Sequence, residues 1–289
     1  MQALARPDLP AGERFLTRLI KRYPLVSFFT FAYTISWTIK IPIALSLRGI
    51  IPIPVPPALH YLAAFGPLGA AVIVTLTVEN RPGISRLLRG LTRWRVQPGY
   101  VLFVIGAPLL LFSIALMLAS IMRRNPDLAL LGQVDYLPPI GVLPALVLWL
   151  LTFGLGEEVG WRGFALPRLQ TTMSAFSASL LLGVLWGFWH VPAFFYRDNY
   201  TAMGLVAVPM VVISVTMASM IFTWLYNSTG GSLLTVVLFH ALFDFFAATP
   251  ASSGMAAVVM SGLMVFWAVR VIKVHGHAHL SPVDKVIWQ

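Results

Sequence analysis

Eight long apolar runs constrain the fold of this chain more than any other feature. Each run is close to the ~20 residues that a helix needs to cross a bilayer. The pattern therefore predicts an all-α, polytopic membrane protein with about eight transmembrane helices. The runs lie at about 24–46, 58–78, 99–121, 139–160, 173–196, 201–226, 232–249 and 253–272.

The composition supports the same fold class. Hydrophobic residues make up 58% of the 289 residues and charged residues only 10%, and the mean hydropathy is +0.83. The net charge of +10 comes from short basic clusters between apolar runs, which suits lipid head groups better than a nucleic-acid partner. Because the chain has no cysteine, disulfides and thiol nucleophiles are excluded.

Lysine and arginine are distributed unevenly between the two sides of the predicted membrane domain. Fifteen of them fall in the N-terminal segment, the 79–98 connection, the 161–172 connection and the tail, whereas the other side has only Arg48, Arg123, Arg124 and Arg197. By the positive-inside rule, both termini are expected in the cytoplasm. Lys40, late in the first run, is expected to extend its side chain outward to the interface.

Two adjacent carboxylates stand at the end of the fourth apolar run, in Gly156-Glu157-Glu158-Val159-Gly160-Trp161-Arg162. On a helix Glu158 and Arg162 are four residues apart and share a face, so they can pair. Glu157 is rotated by about 100° from Glu158, and we expect no partner for it within its own turn. An unpaired carboxylate at membrane depth is costly, so this arrangement indicates a functional residue.

Two later runs supply further polar groups. His190 follows Trp186 by four residues in an aromatic stretch, and His240 and Asp244 are four apart on an otherwise apolar helix. A histidine and a carboxylate on one helical face can bind a metal together, or the carboxylate can orient the imidazole as a base. Three of the ten acidic residues and two of the six histidines thus lie in three runs, which favours a shared site.

These motifs, in this order, resemble the CPBP family of intramembrane proteases, which includes the CAAX prenyl endopeptidases and the bacterial abortive-infection (Abi) proteins. The resemblance covers roughly residues 139–248, the predicted catalytic core. It implies a site formed by Glu157, His190, His240 and Asp244, with Glu158 and Arg162 as supporting residues. The CAAX endopeptidases have asparagine where this chain has Asp244, so a cation site is more plausible here than in those enzymes.

Around the core, residues 24–272 are predicted to form a single transmembrane domain. Residues 1–23 are predicted to form a basic cytoplasmic segment, and residues 273–289 a solvated cytoplasmic tail. For Glu157 to meet His190, span four must continue past Arg162, and we expect the chain to break at Pro167.

Two hydrolytic mechanisms remain open at this point. In the first, a divalent metal such as Zn²⁺ is bound by His190, His240 and Asp244, and Glu157 takes a proton from metal-bound water. In the second there is no metal: Glu157 and His240 activate the water and His190 stabilises the oxyanion. The predicted substrate is a peptide or membrane-protein tail, with or without a lipid, in a conical or open cavity that faces the cytoplasm.

Two other function classes compete with an intramembrane endopeptidase. Buried Glu, His and Asp side chains also form proton relays in transporters, although the chain shows no inverted halves. A catalytically silent membrane scaffold is the third hypothesis. Full cellular function of a Glu157→Gln variant would support that scaffold.

Overall fold

The computed structural model describes residues 15–288, and all regular structure in that range is helical. We number the main helices α1 to α11 in chain order. Seven of them are long and apolar enough to cross a membrane, and an eighth, α10, has 16 residues. The predicted all-α polytopic fold class is confirmed. The helices are α1 Phe15–Arg22, α2 Pro24–Leu47, α3 Pro57–Val78, α4 Asn80–Thr92, α5 Pro98–Ile121, α6 Val142–Leu169, α7 Ala175–Trp189, α8 Asp198–Met203, α9 Val208–Ser228, α10 Leu233–Ala248 and α11 Met255–His279.

One end of the helical bundle, which we call the arginine-rich end, gathers the segments 79–98, 169–174, 229–232 and 280–288. Arg93 Nη1 donates to the carbonyl of Gly230 at 2.6 Å, and Ser232 Oγ donates to the carbonyl of Arg93. The backbone N–H of Trp288 donates to the carbonyl of Pro167 at 3.1 Å. These contacts bring α4, the end of α6, the start of α10 and the tail together.

The opposite end, which we call the arginine-poor end, gathers the segments 48–56, 122–141, 190–207 and 249–254. The backbone N–H of Asp127 donates to the carbonyl of Ala251 at 2.9 Å. Arg197 Nη2 lies 2.6 Å from Asp135 Oδ2, and Arg48 Nε donates to the carbonyl of Phe195 at 3.0 Å. The long connections between helices therefore pack on one another at this end.

The tail is mostly exposed between residues 273 and 284, but part of it packs on the bundle. Helix α11 breaks at Gly276 (φ 70°, ψ −179°), a short further segment ends at His279, and Leu280 is fully buried. Asn227 organises the segment: its Nδ2 donates to the carbonyl of His279 at 2.8 Å and its Oδ1 accepts the N–H of Val286 at 3.1 Å. A buried side-chain amide satisfies two backbone groups of the tail and so fixes the segment against α9.

Helix α6 carries the paired carboxylates and is unusual in its hydrogen bonding. It has π-helical turns at Leu150–Leu155 and Val159–Ala165, on either side of the short α-helical piece Gly156–Glu158. Such turns are rare and occur often at functional sites. The helix continues past Arg162 to Leu169, as predicted.

The predicted break at Pro167 is wrong. Pro167 occupies the first turn of the α-helical piece Leu166–Leu169 that follows the second π turn. The chain reverses instead between Gln170 and Ser174, whose side chain caps α7 by accepting the N–H of Ser177.

Candidate active site

Glu157 is held inside the bundle by two tryptophans. Its side chain is 1% exposed, and Oε2 accepts the indole N–H of Trp186 at 2.7 Å and that of Trp161 at 3.3 Å. Trp161 is four residues further along the same helix, so the expectation that Glu157 has no partner in its own turn is wrong. A carboxylate can also be bound by a neutral donor, and here the indole N–H of Trp161 donates to it.

Glu158 lies in a separate ionic cluster. Its Oε1 accepts from Arg162 Nη1 at 2.8 Å, which confirms the expected pair, and from His240 Nδ1 at 2.8 Å. Glu158 and Arg162 are both 0% exposed. The guanidinium also lies 4.4 Å from the ring centroid of Trp186 and 4.5 Å from that of Phe222. Aromatic faces thus complete the surroundings of the buried cation.

His240 joins α6 to Asp244. While Nδ1 faces Glu158, Nε2 lies 3.3 Å from Asp244 Oδ2. Both ring nitrogens therefore point at carboxylates, and an imidazole in this position donates from both. The Asp244 side chain is 33% exposed. The predicted shared face of His240 and Asp244 on one helix is thus present in the structure.

His190 stands at the end of α7, beside the same cluster. Its Nδ1 lies 2.8 Å from the carbonyl oxygen of Trp186. Because a carbonyl only accepts, Nδ1 carries the proton, and a neutral ring then has its lone pair at Nε2. Its charge interactions include those with Asp244 and His240. The structure therefore brings Glu157, His190, His240 and Asp244 into one region.

Trp186 connects these groups and was missed as a site residue. It donates to Glu157, accepts from His190, and packs edge-on against the His240 ring at a centroid distance of 5.4 Å. The sequence signal was its position four residues before His190, which placed the two on one face of a helix. Its role toward Glu157 depends on the packing of α7 against α6.

Lys40 was also missed, and the prediction that it extends to the interface is wrong. Its side chain is 1% exposed, and Nζ lies 3.0 Å from the ring centroid of Trp189 and 3.4 Å from the Trp189 carbonyl oxygen. Its ammonium interacts electrostatically with Glu157. The indole face provides an alternative to the interface for this cation.

A group of tyrosines lies beside the site at the arginine-poor end. Tyr200 in α8 interacts electrostatically with Asp244 and Glu157, and Tyr136 donates to the carbonyl of Tyr196 at 2.9 Å. Burial raises the pKa of Tyr136 and of Tyr200 to about 12. Both phenols therefore stay protonated at neutral pH and remain hydrogen-bond donors.

The predicted metal ligands do not fit a metal site as they are arranged. No group of three or more His, Asp or Glu side chains within residues 15–288 is placed to hold a metal ion. His240 has neither nitrogen free, since one faces Glu158 and the other Asp244. A metal ligand needs an unprotonated ring nitrogen. Binding Zn²⁺ at His240 would therefore require one carboxylate contact to be given up.

The segment that contains these site residues is similar to known proteins. Residues 139–246 match the family model described as type II CAAX prenyl endopeptidase Rce1-like. The CAAX prenyl protease 2 of Methanococcus maripaludis is 29% identical over 138 residues, covering 45% of this chain and 49% of that relative. The chain thus spans about half the length of this curated relative. The predicted resemblance to the CAAX prenyl endopeptidases is confirmed over residues 139–246, the segment that contains every predicted site residue.

Proposed function

We propose that this protein is an intramembrane endopeptidase in which Glu157 activates a water molecule. The observation that carries the proposal is the hydrogen bonding of Glu157, whose two indole donors both bind Oε2. Oε1 is then the oxygen that accepts a proton. A buried carboxylate beside two histidines has the components of a general base with its positioning groups.

The reaction proceeds in two steps. The oxygen of water forms a bond to the peptide carbonyl carbon while its proton moves to Glu157 Oε1, giving a tetrahedral oxyanion. Glu157 then returns the proton to the amide nitrogen, the C–N bond breaks, and the products are a carboxylic acid and an amine, which exchange one proton to give a carboxylate and an ammonium. No side chain becomes covalently attached, which suits a chain without cysteine.

The two histidines receive roles from their hydrogen bonds. His190 holds its Nδ1 proton against the Trp186 carbonyl, so Nε2 can accept a hydrogen bond from the water and orient it. His240 donates from both nitrogens, and because the contact to Asp244 is long, at 3.3 Å, the Nε2–H can share its hydrogen bond with the oxyanion. These assignments exchange the roles that the sequence suggested for the two histidines in its metal-free mechanism.

The other groups position these side chains. The ion pair of Glu158 and Arg162 fixes the His240 ring, and Asp244 holds its Nε2–H. Lys40 places a positive charge near Glu157, which favours the ionised base. Since His240 lacks a free nitrogen, we propose the metal-free mechanism over the Zn²⁺ mechanism.

The substrate class follows from the matched family. The curated relative is named a CAAX prenyl protease, and we propose a peptide substrate in or at the membrane, with or without a lipid. The transporter hypothesis receives no comparable support, because both carboxylates on α6 are engaged by indoles, by a guanidinium and by an imidazole.

The test is cleavage by the purified protein in detergent. The probes are a quenched-fluorescent peptide that ends in a prenylated cysteine followed by three residues, and the same peptide without the prenyl group. Glu157→Gln is expected to lower the rate by about 10²- to 10⁴-fold, whereas Asp127→Asn, at an exposed carboxylate outside the site, is expected to leave it unchanged. Mass spectrometry identifies the cleaved bond.

Elemental analysis of the same samples separates the two mechanisms. Full activity without stoichiometric zinc supports the metal-free site. Zinc that is retained in Glu157→Gln and lost in His240→Ala would contradict it. Unimpaired cleavage by Glu157→Gln would refute the proposed base.

A further inference from the structure

The open side of the site lies at the arginine-poor end of the bundle. Asp244, with 33% of its side chain exposed, is four residues before the end of α10 at Ala248, or about 6 Å along the helix axis. His190 is followed directly by the turn Val191–Phe195, which leads into α8. Tyr200 of α8 interacts electrostatically with Glu157 itself.

The opposite side of the site is closed by packed side chains. Glu158 and Arg162 are 0% exposed, and the apolar residues around them are as deeply buried. A substrate could not reach Glu157 from the arginine-rich end without opening this core. The buried apolar residues are Trp161, Phe164, Phe222, Val236 and Phe239.

The two ends differ strongly in their positive charge. Within residues 15–288, the arginine-poor end has Arg48, Arg123, Arg124 and Arg197, accompanied by Asp127, Asp135 and Asp198. The other end has Arg18, Lys21, Arg22, Arg81, Arg86, Arg89, Arg93, Arg95, Arg168, Arg270, Lys273 and Lys285, accompanied by Glu79 and Asp284. Short loops rich in lysine and arginine stay in the cytoplasm. The arginine-rich end is therefore the cytoplasmic one.

We propose that the catalytic site opens away from the cytoplasm and acts on peptide segments at the extracytoplasmic surface of the membrane. The choice of a peptide as substrate rests on the proposed endopeptidase function. The direction of the opening rests on the charge difference between the two ends and on the burial of the residues around Glu158 and Arg162. The proposed opening lies on the opposite side of the membrane from the cytoplasm-facing cavity that the sequence predicts. The peptide reaches the site past α8 and the exposed edge of Asp244.

Cysteine labelling tests the direction without depending on activity. The chain has no cysteine, so single cysteines report their own position. Asn199→Cys marks the arginine-poor end, Gln97→Cys marks the arginine-rich end as a matched exposed polar site, and Asp244→Cys marks the site. Each is treated with a membrane-impermeant maleimide in bacterial spheroplasts and in inverted membrane vesicles.

We expect Asn199→Cys and Asp244→Cys to be labelled in spheroplasts, and Gln97→Cys in inverted vesicles. Labelling of Asn199→Cys only in inverted vesicles would overturn the orientation. Labelling of Asn199→Cys in spheroplasts together with Asp244→Cys only in inverted vesicles would overturn the position of the opening.

A cleavage assay with the unaltered chain completes the test. The membrane-impermeant form of the peptide probe, without the prenyl group, is added outside either preparation. We expect cleavage by spheroplasts and none by sealed inverted vesicles, and the reverse result would overturn the inference. If the labelling is as expected but neither preparation nor the detergent-solubilised protein cleaves any probe, the direction of the opening is supported and the endopeptidase function is refuted.

Discussion

Glu157 and Glu158 are neighbours in the chain but lie in different surroundings. Glu158 is 0% exposed and bonded to a guanidinium and an imidazole. Glu157 is 1% exposed and bonded to two neutral indoles. The first carboxylate has its charge neutralised on the closed side of the site, and the second faces the groups on the open side. One adjacent pair of acids thus contains an ion-paired carboxylate and the carboxylate that we propose as the base.

The comparison teaches that burial alone does not identify a catalytic carboxylate. Both acids are inaccessible to solvent, and the difference between them is the kind of donor each one meets. An ion pair uses the charge of the carboxylate, whereas an indole N–H holds the carboxylate in place and leaves its basicity available. Substitutions of the groups that bind Glu158 should therefore lower mainly the stability, and substitutions of the groups that bind Glu157 should lower mainly the activity.

The largest expected effect is on the closed side. Arg162→Met leaves the Glu158 carboxylate buried beside His240 without its guanidinium, and we expect a loss of about 3–5 kcal/mol in the free energy of unfolding. The measurement is the denaturant midpoint in detergent. The double variant Glu158→Gln/Arg162→Met removes both charges while an amide oxygen still accepts from His240, and it should recover most of the loss. Equal instability of both variants would contradict the ion-pair explanation.

The second prediction concerns the indole that holds Glu157. Trp186→Phe keeps an aromatic ring against Arg162 but removes the 2.7 Å hydrogen bond to the carboxylate. A hydrogen bond to a charged group contributes about 1.5–3 kcal/mol, so the cleavage rate should fall by about 10- to 150-fold. Trp161→Phe, whose bond is 3.3 Å, is the matched control and should lose less. A larger loss in Trp161→Phe would reverse the assignment.

The third prediction tests the buried cation on the open side. Lys40→Met should lower kcat/KM by about fivefold, which corresponds to a charge interaction of about 1 kcal/mol with Glu157. Lys40→Arg keeps a cation over the Trp189 ring and should retain most of the activity. If Lys40→Arg is as impaired as Lys40→Met, the packing of the lysine stem explains the effect and its charge does not.

The smallest expected effect is at Asp244. Asp244→Asn still offers an oxygen to His240 Nε2, and the lost charge is partly screened by solvent because the side chain is 33% exposed. We expect kcat/KM to change by less than about threefold, corresponding to under about 1 kcal/mol. A loss as large as that of Glu157→Gln would place the Asp244 carboxylate among the reacting groups.

The sequence predicted what depends on spacing within one helix. The ion pair of Glu158 and Arg162 and the shared face of His240 and Asp244 both follow from a separation of four residues. The contacts between helices could not be predicted. His240 meets Glu158 across 82 residues, and Trp186 meets Glu157 across 29, and both contacts depend on how each helix is rotated about its axis.

Lys40 and the tail show a second limit of the sequence. A lysine near the end of an apolar run usually reaches the interface, and that rule contains no information about an aromatic ring on another helix. The packing of the tail could not be predicted either, because Asn227, which donates to the carbonyl of His279, lies 52 residues earlier. In both cases the deciding contact joins segments that are distant in sequence.

The π-helical turns of α6 have a consequence for sequence comparison. A π turn contains one residue more than the α-helical turn it replaces, so it corresponds to a single-residue insertion that the fold has accommodated. Between Val159 and Ala165, a relative with a regular helix would align only with a one-residue gap. Because the π turn absorbs the extra residue, the segments before and after it keep their faces, and such a gap is compatible with the same neighbours for the two acids.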